Sequence, residues 1–349
     1  MPTRKPTPPT PADASTLTDA LGRPLHDLRI SVTDRCNFRC TYCMPKEVFG
    51  RAYKFLDRAD LLTFEEITRV ARVFSGLGVR KLRLTGGEPT VRRGLPKLVQ
   101  MLSGIETVED LAMTTNGSRL AKMAAELKDA GLKRVTVSLD SLDDARFREM
   151  SDAEFPVVLV LEGIEAARAA GLVPVKINVV VKRGVNEADA LAIAARFRGL
   201  DYIVRFIEYM DVGTTNGWRM DDVVPAAEMI EALGRELPLE AVAAGYPGEV
   251  ARRWRHKDGS EIGVITSVTE PFCGTCTRLR LSADGQLYTC LFATRGHDLR
   301  ALLRGGATDD DLAAFLRDIW SRRTDRYSEQ RTEATAKKRR KVEMSYIGG

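Results

Sequence analysis

The sequence predicts an α/β protein: an open, partial (βα)6 TIM-type barrel followed by a smaller α+β extension. Three observations predict it. From residue 28 onward, strand-like runs alternate with helical ones, the rhythm of parallel strands joined by crossover helices. The strands carry polar residues along one face, whereas parallel strands covered on both faces read as continuous apolar runs. After about residue 212 the alternation breaks and hairpin-like strands take over.

The elements follow in order. "LRISVT" (28–33) precedes a helix near 64–76, "RKLRLTGG" (80–87) one near 94–103, and "DLAMTTNG" (110–117) one near 119–131. "RVTVSLD" (134–140) leads to helices near 142–149 and 156–170, and "VKINVVV" (175–181) to one near 187–198; "YIVRFIEYM" (202–210) completes the series. Strand alternation puts Arg29, Ser31 and Thr33 on one face and Leu28, Ile30 and Val32 on the other. Thr136, Ser138 and Asp140 oppose Val135, Val137 and Leu139 in the same way, and Lys176 and Asn178 oppose Val175, Ile177 and Val179. The apolar faces pack on helices, so the polar faces line a wet or charged space. Arg29, Arg83 and Lys176 in that lumen suit an anionic ligand. Beyond 212, a helix is expected at 225–236, strands at "VARRWRH", "EIGVITSV", "RLRLSADG" and "QLYTCLFA", turns at "KDGS" and "ADGQ", and helices near 297–304 and 308–323.

With 349 residues, 44% of them hydrophobic and 29% charged, the chain suits one large or two ordinary globular domains. We divide it into a Pro-rich leader (1–21), expected to be disordered, the barrel (22–220) and the extension (221–349). No apolar run approaches the ~18 residues of a spanning helix. The N-terminus lacks an apolar signal core, so a cytoplasmic protein without a membrane role is expected. The net charge of +5 is modest. The run "KKRRK" (337–341) has no interleaved aromatics, which favours a solvated or substrate-facing patch over nucleic-acid binding.

Six cysteines fall as two triplets, Cys36/Cys40/Cys43 and Cys273/Cys276/Cys290. Pairing them as disulfides leaves an odd thiol in each, so metal ligation explains them better. The first triplet, C-x3-C-x2-C, directly follows the first barrel strand, at the strand end where barrels place their chemistry. Soft thiolates select zinc or iron–sulfur. A structural zinc needs a fourth ligand, and His26 would sit at the wrong end of the strand. A [4Fe–4S] cluster on three thiolates keeps one iron open for a ligand. The second triplet, C-x2-C-x13-C, fits a loop and hairpin that return Cys290 beside Cys276. It reads as a second open cluster, or as zinc completed by His297. Arg278 and Arg280 lie two apart between its ligands and so point the same way. They form a phosphate clamp or a solvated strand face.

The C-x3-C-x2-C spacing, with Tyr42 before its last cysteine and the glycine-rich "TGGEP" (85–89) one strand later, resembles the radical S-adenosylmethionine superfamily. Within it, the chain from about 22 to 349 resembles the GTP 3′,8-cyclase family of molybdenum cofactor biosynthesis. The matching segments include "LGRPLHDLRISVTDRCNFRCTYCMP", "TGGEPTVRR", "RFIEYMDVG", "FCGTCTRLRLSADGQLYTCLFA" and the terminal "YIGG". No motif position departs from the family pattern.

That resemblance implies two [4Fe–4S] clusters, S-adenosylmethionine as cofactor and GTP as substrate. Cleavage of S-adenosylmethionine would yield an adenosyl radical that removes the C3′ hydrogen of GTP. The C3′ radical would attack C8, and reduction would give 3′,8-cyclo-7,8-dihydro-GTP. It further implies S-adenosylmethionine contacts at Tyr42, Gly87, Ser138 and Met210, and GTP contacts at Arg29, Arg83, Thr114, Lys176, Arg278, Leu279 and Arg280, with Arg205 a weaker addition. The six cysteines would hold metal, and Arg278, Arg280, Gly348 and Gly349 would take part in catalysis. An electron donor such as flavodoxin or ferredoxin and a downstream cyclic pyranopterin monophosphate synthase are the implied partners; a homodimer is left open. Two rivals remain. A radical enzyme modifying peptides would need a recognition segment before the barrel. A ferredoxin-like carrier would need fully ligated clusters, typically four thiolates each.

Overall fold

A computed structural model describes residues 16–349 except 247 and 339. Twelve strands form one sheet: β1 (Asp27–Ser31), β2 (Lys81–Thr85), β3 (Asp110–Thr115), β4 (Arg134–Ser138), β5 (Val175–Val181), β6 (Tyr202–Glu208), β7 (Glu240–Val242), β8 (Arg252–Arg255), β9 (Glu261–Ile265), β10 (Arg278–Leu281), β11 (Gln286–Tyr288) and β12 (His297–Asp298). Their order is β12-β11-β10-β1-β2-β3-β4-β5-β6-β9-β8-β7. The ends do not pair, so the barrel is open, as the sequence predicts.

The extension is not a separate layer. β10 joins β1 in parallel and β9 joins β6 in parallel, each then turning outward into antiparallel neighbours. The residues after 212 therefore lengthen the barrel sheet at both edges. This places Arg280 opposite Arg29, which in turn faces Arg83.

The apolar faces make the core. Leu28, Ile30, Leu82, Leu84, Val135, Val137, Ile177 and Val179 are fully buried against the surrounding helices. Full burial of such a side chain is worth about 1.5–3 kcal/mol. The first crossover helix, Phe64–Ser75, shows how local sequence fits this scheme. Thr63 and Glu66 close a reciprocal capping box at its start, satisfying two otherwise orphaned donors. Ile67, Val70, Ala71 and Phe74 follow at helical spacing and are buried. Gly76 caps the end, and Gly78, at φ 111°, turns the chain toward β2.

Three expectations need correction. Residues 1–15 of the leader lie outside the described residues, but 16–21 are built into the fold. Leu17 N–H donates to the Leu77 carbonyl, and Asp19, 6% exposed, holds the Arg23 guanidinium at 2.6 Å. Composition misled here because the ordered stretch is short and two of its partners, Leu77 and Arg323, are distant in sequence. The basic run is not uniformly solvated either. Lys341 is buried and pairs with Asp211 at 2.6 Å, whereas Arg340 is exposed. The third correction is Leu279, taken up with the site below. Among the described residues, no helix is long and apolar enough to cross a membrane.

Candidate active site

The polar strand faces line a cavity of about 1920 Å³, counted with its open mouth. All six cysteines border it, as do Arg29, Arg83, Thr114, Ser138, Arg205, Arg278 and Arg280. Both triplets thus meet one space, although more than 220 residues separate them in sequence.

The first triplet sits on the loop after β1, interlocked with the glycine-rich segment after β2. Gly87 N–H donates to the Thr33 carbonyl and Glu88 N–H to that of Arg35, both at 2.8 Å. A side chain at Gly87 would collide with the Arg35 carbonyl, so glycine is required by close approach. Glu88 is 1% exposed and fastens this turn to β3 through Thr115 Oγ1 and Asn116 N–H, each at 2.7 Å. Asn116 Nδ2 in turn lies 3.8 Å from Cys36 Sγ.

Electrostatics differ between the triplets. Burial pushes the Cys36 thiol up to about 12, and Glu88 adds to this. Cys40 and Cys43 rise for the same first reason and because the thiols of this triplet oppose one another's ionisation. In the second triplet, burial also opposes the Cys276 thiolate, but Arg278 and Arg323 override it and draw the group down to about 6. Both guanidiniums donate to its sulfur, at 3.3 and 3.2 Å. Cys290 stays high, at about 11, mainly through burial.

Sequence reasoning missed the supports of this second loop. Arg23 donates to the Cys273 carbonyl and Arg323 to the Cys276 carbonyl, both at 2.8 Å, and Asp19 joins the two arginines. No local pattern signals such partners, which come from opposite ends of the chain. Glu208 was missed likewise. Fully buried, it accepts from the N–H groups of Ala226, Val268 and Thr269 and ties β6 to the extension.

The donor chemistry fits iron–sulfur clusters. All six thiols are free and border the cavity, three on the loop after β1 and three flanking the β10–β11 hairpin. His297 is exposed on β12 and does not border the cavity, so it is not a fourth ligand to the second triplet.

Strand register assembles the cations. Arg280, Arg29 and Arg83 stand side by side on β10, β1 and β2. Burial, then Arg280, Arg278 and Arg83, hold the Arg29 pKa well below its ordinary value. Burial and Arg205 lower that of Lys176 to about 6, and burial and Arg83 bring Arg205 to about 9. Arg83 bonds only hydroxyls in the lumen, Thr114 Oγ1 at 3.2 Å and Thr136 Oγ1 at 3.1 Å. The neighbouring guanidiniums oppose one another's charge, and Lys176 is held largely neutral.

The remaining expected residues are placed as follows. Tyr42 donates its hydroxyl to Asp140 at 2.6 Å, and with Gly87, Ser138 and Met210 it borders the cavity; Met210 packs in the same cluster as Cys290 of the second triplet. Lys176 lies on β5 opposite Thr136 and does not border the cavity itself. Leu279 differs from expectation. Its side chain is fully buried in the core, because alternation on β10 turns it away from the lumen that Arg278 and Arg280 face. The C-terminus is not frayed: Arg280 donates to the Gly348 carbonyl, and Gly349 borders the cavity.

An open parallel barrel presenting three thiolates after its first strand, beside a glycine-rich turn, defines a radical S-adenosylmethionine protein. The Radical SAM superfamily model matches residues 30–197, and the Molybdenum Cofactor Synthesis C model matches 202–329. The SuiB protein of Streptococcus suis, solved with S-adenosylmethionine bound, shares the fold with a TM-score of 0.56 at 15% identity, over 89% of this chain and 71% of that one. The GTP 3′,8-cyclase of Acidothermus cellulolyticus is 55% identical, and that of Staphylococcus epidermidis 50%; each alignment spans 95% of this chain and 98% of the relative. The chain belongs to the GTP 3′,8-cyclase family.

Proposed function

We propose that the cavity holds S-adenosylmethionine and GTP together and that the protein cyclises GTP to (8S)-3′,8-cyclo-7,8-dihydro-GTP, an early step of molybdenum cofactor assembly. The observation that carries this reading is the uncompensated row Arg280–Arg29–Arg83, with Arg278 and Lys176 close by. A triphosphate supplies the charge those groups lack. Gly87, Ser138, Tyr42 and Met210 would seat S-adenosylmethionine against the first triplet. Cys273, Cys276 and Cys290 would carry a second [4Fe–4S] cluster on the substrate side. When bound to Cys36, Cys40 and Cys43, a [4Fe–4S] cluster supplies the electron that cleaves S-adenosylmethionine for hydrogen abstraction at C3′. The arginines would hold the triphosphate, Gly87 would let the turn pack against the loop of the first triplet, and the docked tail would border the substrate. The division at 22–220 and 221–349 would then run through one continuous sheet, with substrate contacts on both sides of it. Working in the cytoplasm, the enzyme would draw electrons from a flavodoxin or ferredoxin and pass its product to a cyclic pyranopterin monophosphate synthase.

The test is one anaerobic incubation of reconstituted protein with GTP, S-adenosylmethionine and dithionite. We expect 5′-deoxyadenosine and cyclised GTP together, and about eight irons per chain with little zinc, since each three-thiolate site holds four irons. About four irons with one zinc would overturn the second cluster, and a GTP-independent product the substrate.

A further inference from the structure

The last described segment returns across the molecule and is fastened to the loop after β6 at two places. The first is Asp211, 2% exposed. Its carboxylate accepts from Lys341 Nζ and from the Tyr327 hydroxyl, each at 2.6 Å, and Arg331 lies beside it as an ion pair, with Nε at 2.5 Å. All three partners come from 327–341 and are themselves nearly fully buried. The second is Glu343, which accepts from Thr214 N–H at 2.9 Å, Thr214 Oγ1 at 2.8 Å and Thr215 Oγ1 at 3.1 Å. Between the two lies Gly213, at φ 66°, where any side chain would collide with the Glu343 carboxylate.

The clasped loop has a particular position. Met210 and Val212, on either side of Asp211, border the cavity. A few residues beyond Glu343, the Gly348 carbonyl accepts from Arg280. The clasp thus joins a cavity-bordering loop packed beside Cys290 to the segment that ends on Arg280. The terminal residues also have anchors of their own: Val342 N–H donates to the Ala293 carbonyl at 2.9 Å, Ser345 and Ile347 are buried, and Tyr346 bonds Asp284. A chain end frays unless tied down, and the clasp adds to these ties.

We propose that Asp211 and Glu343 are positioning residues: they clasp the C-terminal segment to the loop after β6 and so hold Gly348 on Arg280, on the substrate side of the cavity. This deepens the proposed GTP reading and rests on it for its kinetic consequence. Removing one partner of a buried ion cluster leaves the others uncompensated, so the clasp should release rather than adjust.

The experiment compares wild-type, Asp211→Asn and Glu343→Gln proteins, full length and reconstituted, by hydrogen–deuterium exchange and by kinetics. Amides of 342–349 should exchange at least about tenfold faster in both variants, with β4 and β5 unchanged. KM for GTP should rise severalfold while KM for S-adenosylmethionine stays within about twofold, a split that general destabilisation does not produce. Should Asp211→Asn fail to fold, the half-exposed Glu343→Gln carries both readouts. Unchanged exchange of the tail overturns the clasp. Faster exchange with an unchanged KM for GTP overturns the positioning role. Wild-type protein that binds no GTP overturns the functional reading alone, because the exchange result still decides the clasp.

Discussion

Arg278 and Arg280 face one lumen from one strand but meet different partners, the Cys276 sulfur and the Gly348 carbonyl. Replacing either by alanine should weaken GTP use by about one to two decades in kcat/KM, the ~1.5–3 kcal/mol of a charge-assisted contact. Dependence on S-adenosylmethionine should change far less. Steady-state kinetics with each substrate varied in turn checks this; equal losses for both would place the arginines elsewhere in the mechanism. Lys176 gives a pH prediction. Burial and Arg205 hold it at about 6 in the free protein, so it is mostly neutral at pH 7.5. A bound triphosphate favours the charged form and raises that value. GTP binding should therefore take up a fraction of a proton, and affinity should fall as pH rises above about 6. It should be level below that value, where Lys176 is charged with or without GTP, and level again above the raised value of the complex, where Lys176 is neutral in both. Calorimetry in buffers of different ionisation enthalpy reads the uptake. Lys176→Arg should abolish it, since arginine stays charged throughout.

At the scale of elements, β10 carries two roles on opposite faces. Leu279 is fully buried in the core between the two arginines. Leu279→Ala should cost about 2–5 kcal/mol of stability, read by denaturant unfolding, and should loosen the strand that presents both guanidiniums. An unchanged midpoint would mean that this edge of the sheet contributes little to the core. The glycine-rich turn makes a second test. Gly87→Ala forces the turn off the Arg35 carbonyl, and Gly87 N–H loses its bond to Thr33. Formation of 5′-deoxyadenosine should fall by at least tenfold, by chromatography of the reaction mixture, while about four irons remain on the second triplet.

For the whole molecule, the sheet that joins the two triplets also keeps them on different edges of the cavity. Cys36, Cys40 and Cys43 follow β1, whereas Cys273, Cys276 and Cys290 flank β10 and β11. Alanine at any of the first three should abolish 5′-deoxyadenosine. Alanine at any of the second three should leave slow, uncoupled cleavage of S-adenosylmethionine, because sites without shared partners couple weakly. Cyclised GTP should vanish, since the reacting atoms must be held within about 3–3.5 Å. Both products are read from one incubation, with iron content confirming the surviving cluster. A Cys273→Ala protein that cyclises GTP normally would make the second triplet structural.

The sequence by itself determined what local chemistry determines. Alternation within "LRISVT" and "VKINVVV" set which residues face the lumen, and the open parallel barrel followed from the repeated strand–helix rhythm. The spacing of each triplet and the glycines of "TGGEP" pointed to the cofactor loops. Tertiary structure alone decided the rest. Pairing of β10 with β1 brought Arg280 beside Arg29, a contact across some 250 positions that no periodicity encodes. Arg23 and Arg323 behind the second triplet, Glu208 at the joint with the extension, and Lys341 on Asp211 read in sequence as ordinary charged residues. They become buried partners only when the chain closes around them. Side-chain direction along a strand depends on the next residue or two, and so is legible locally. Which distant charge fills a buried position depends on the whole path of the backbone.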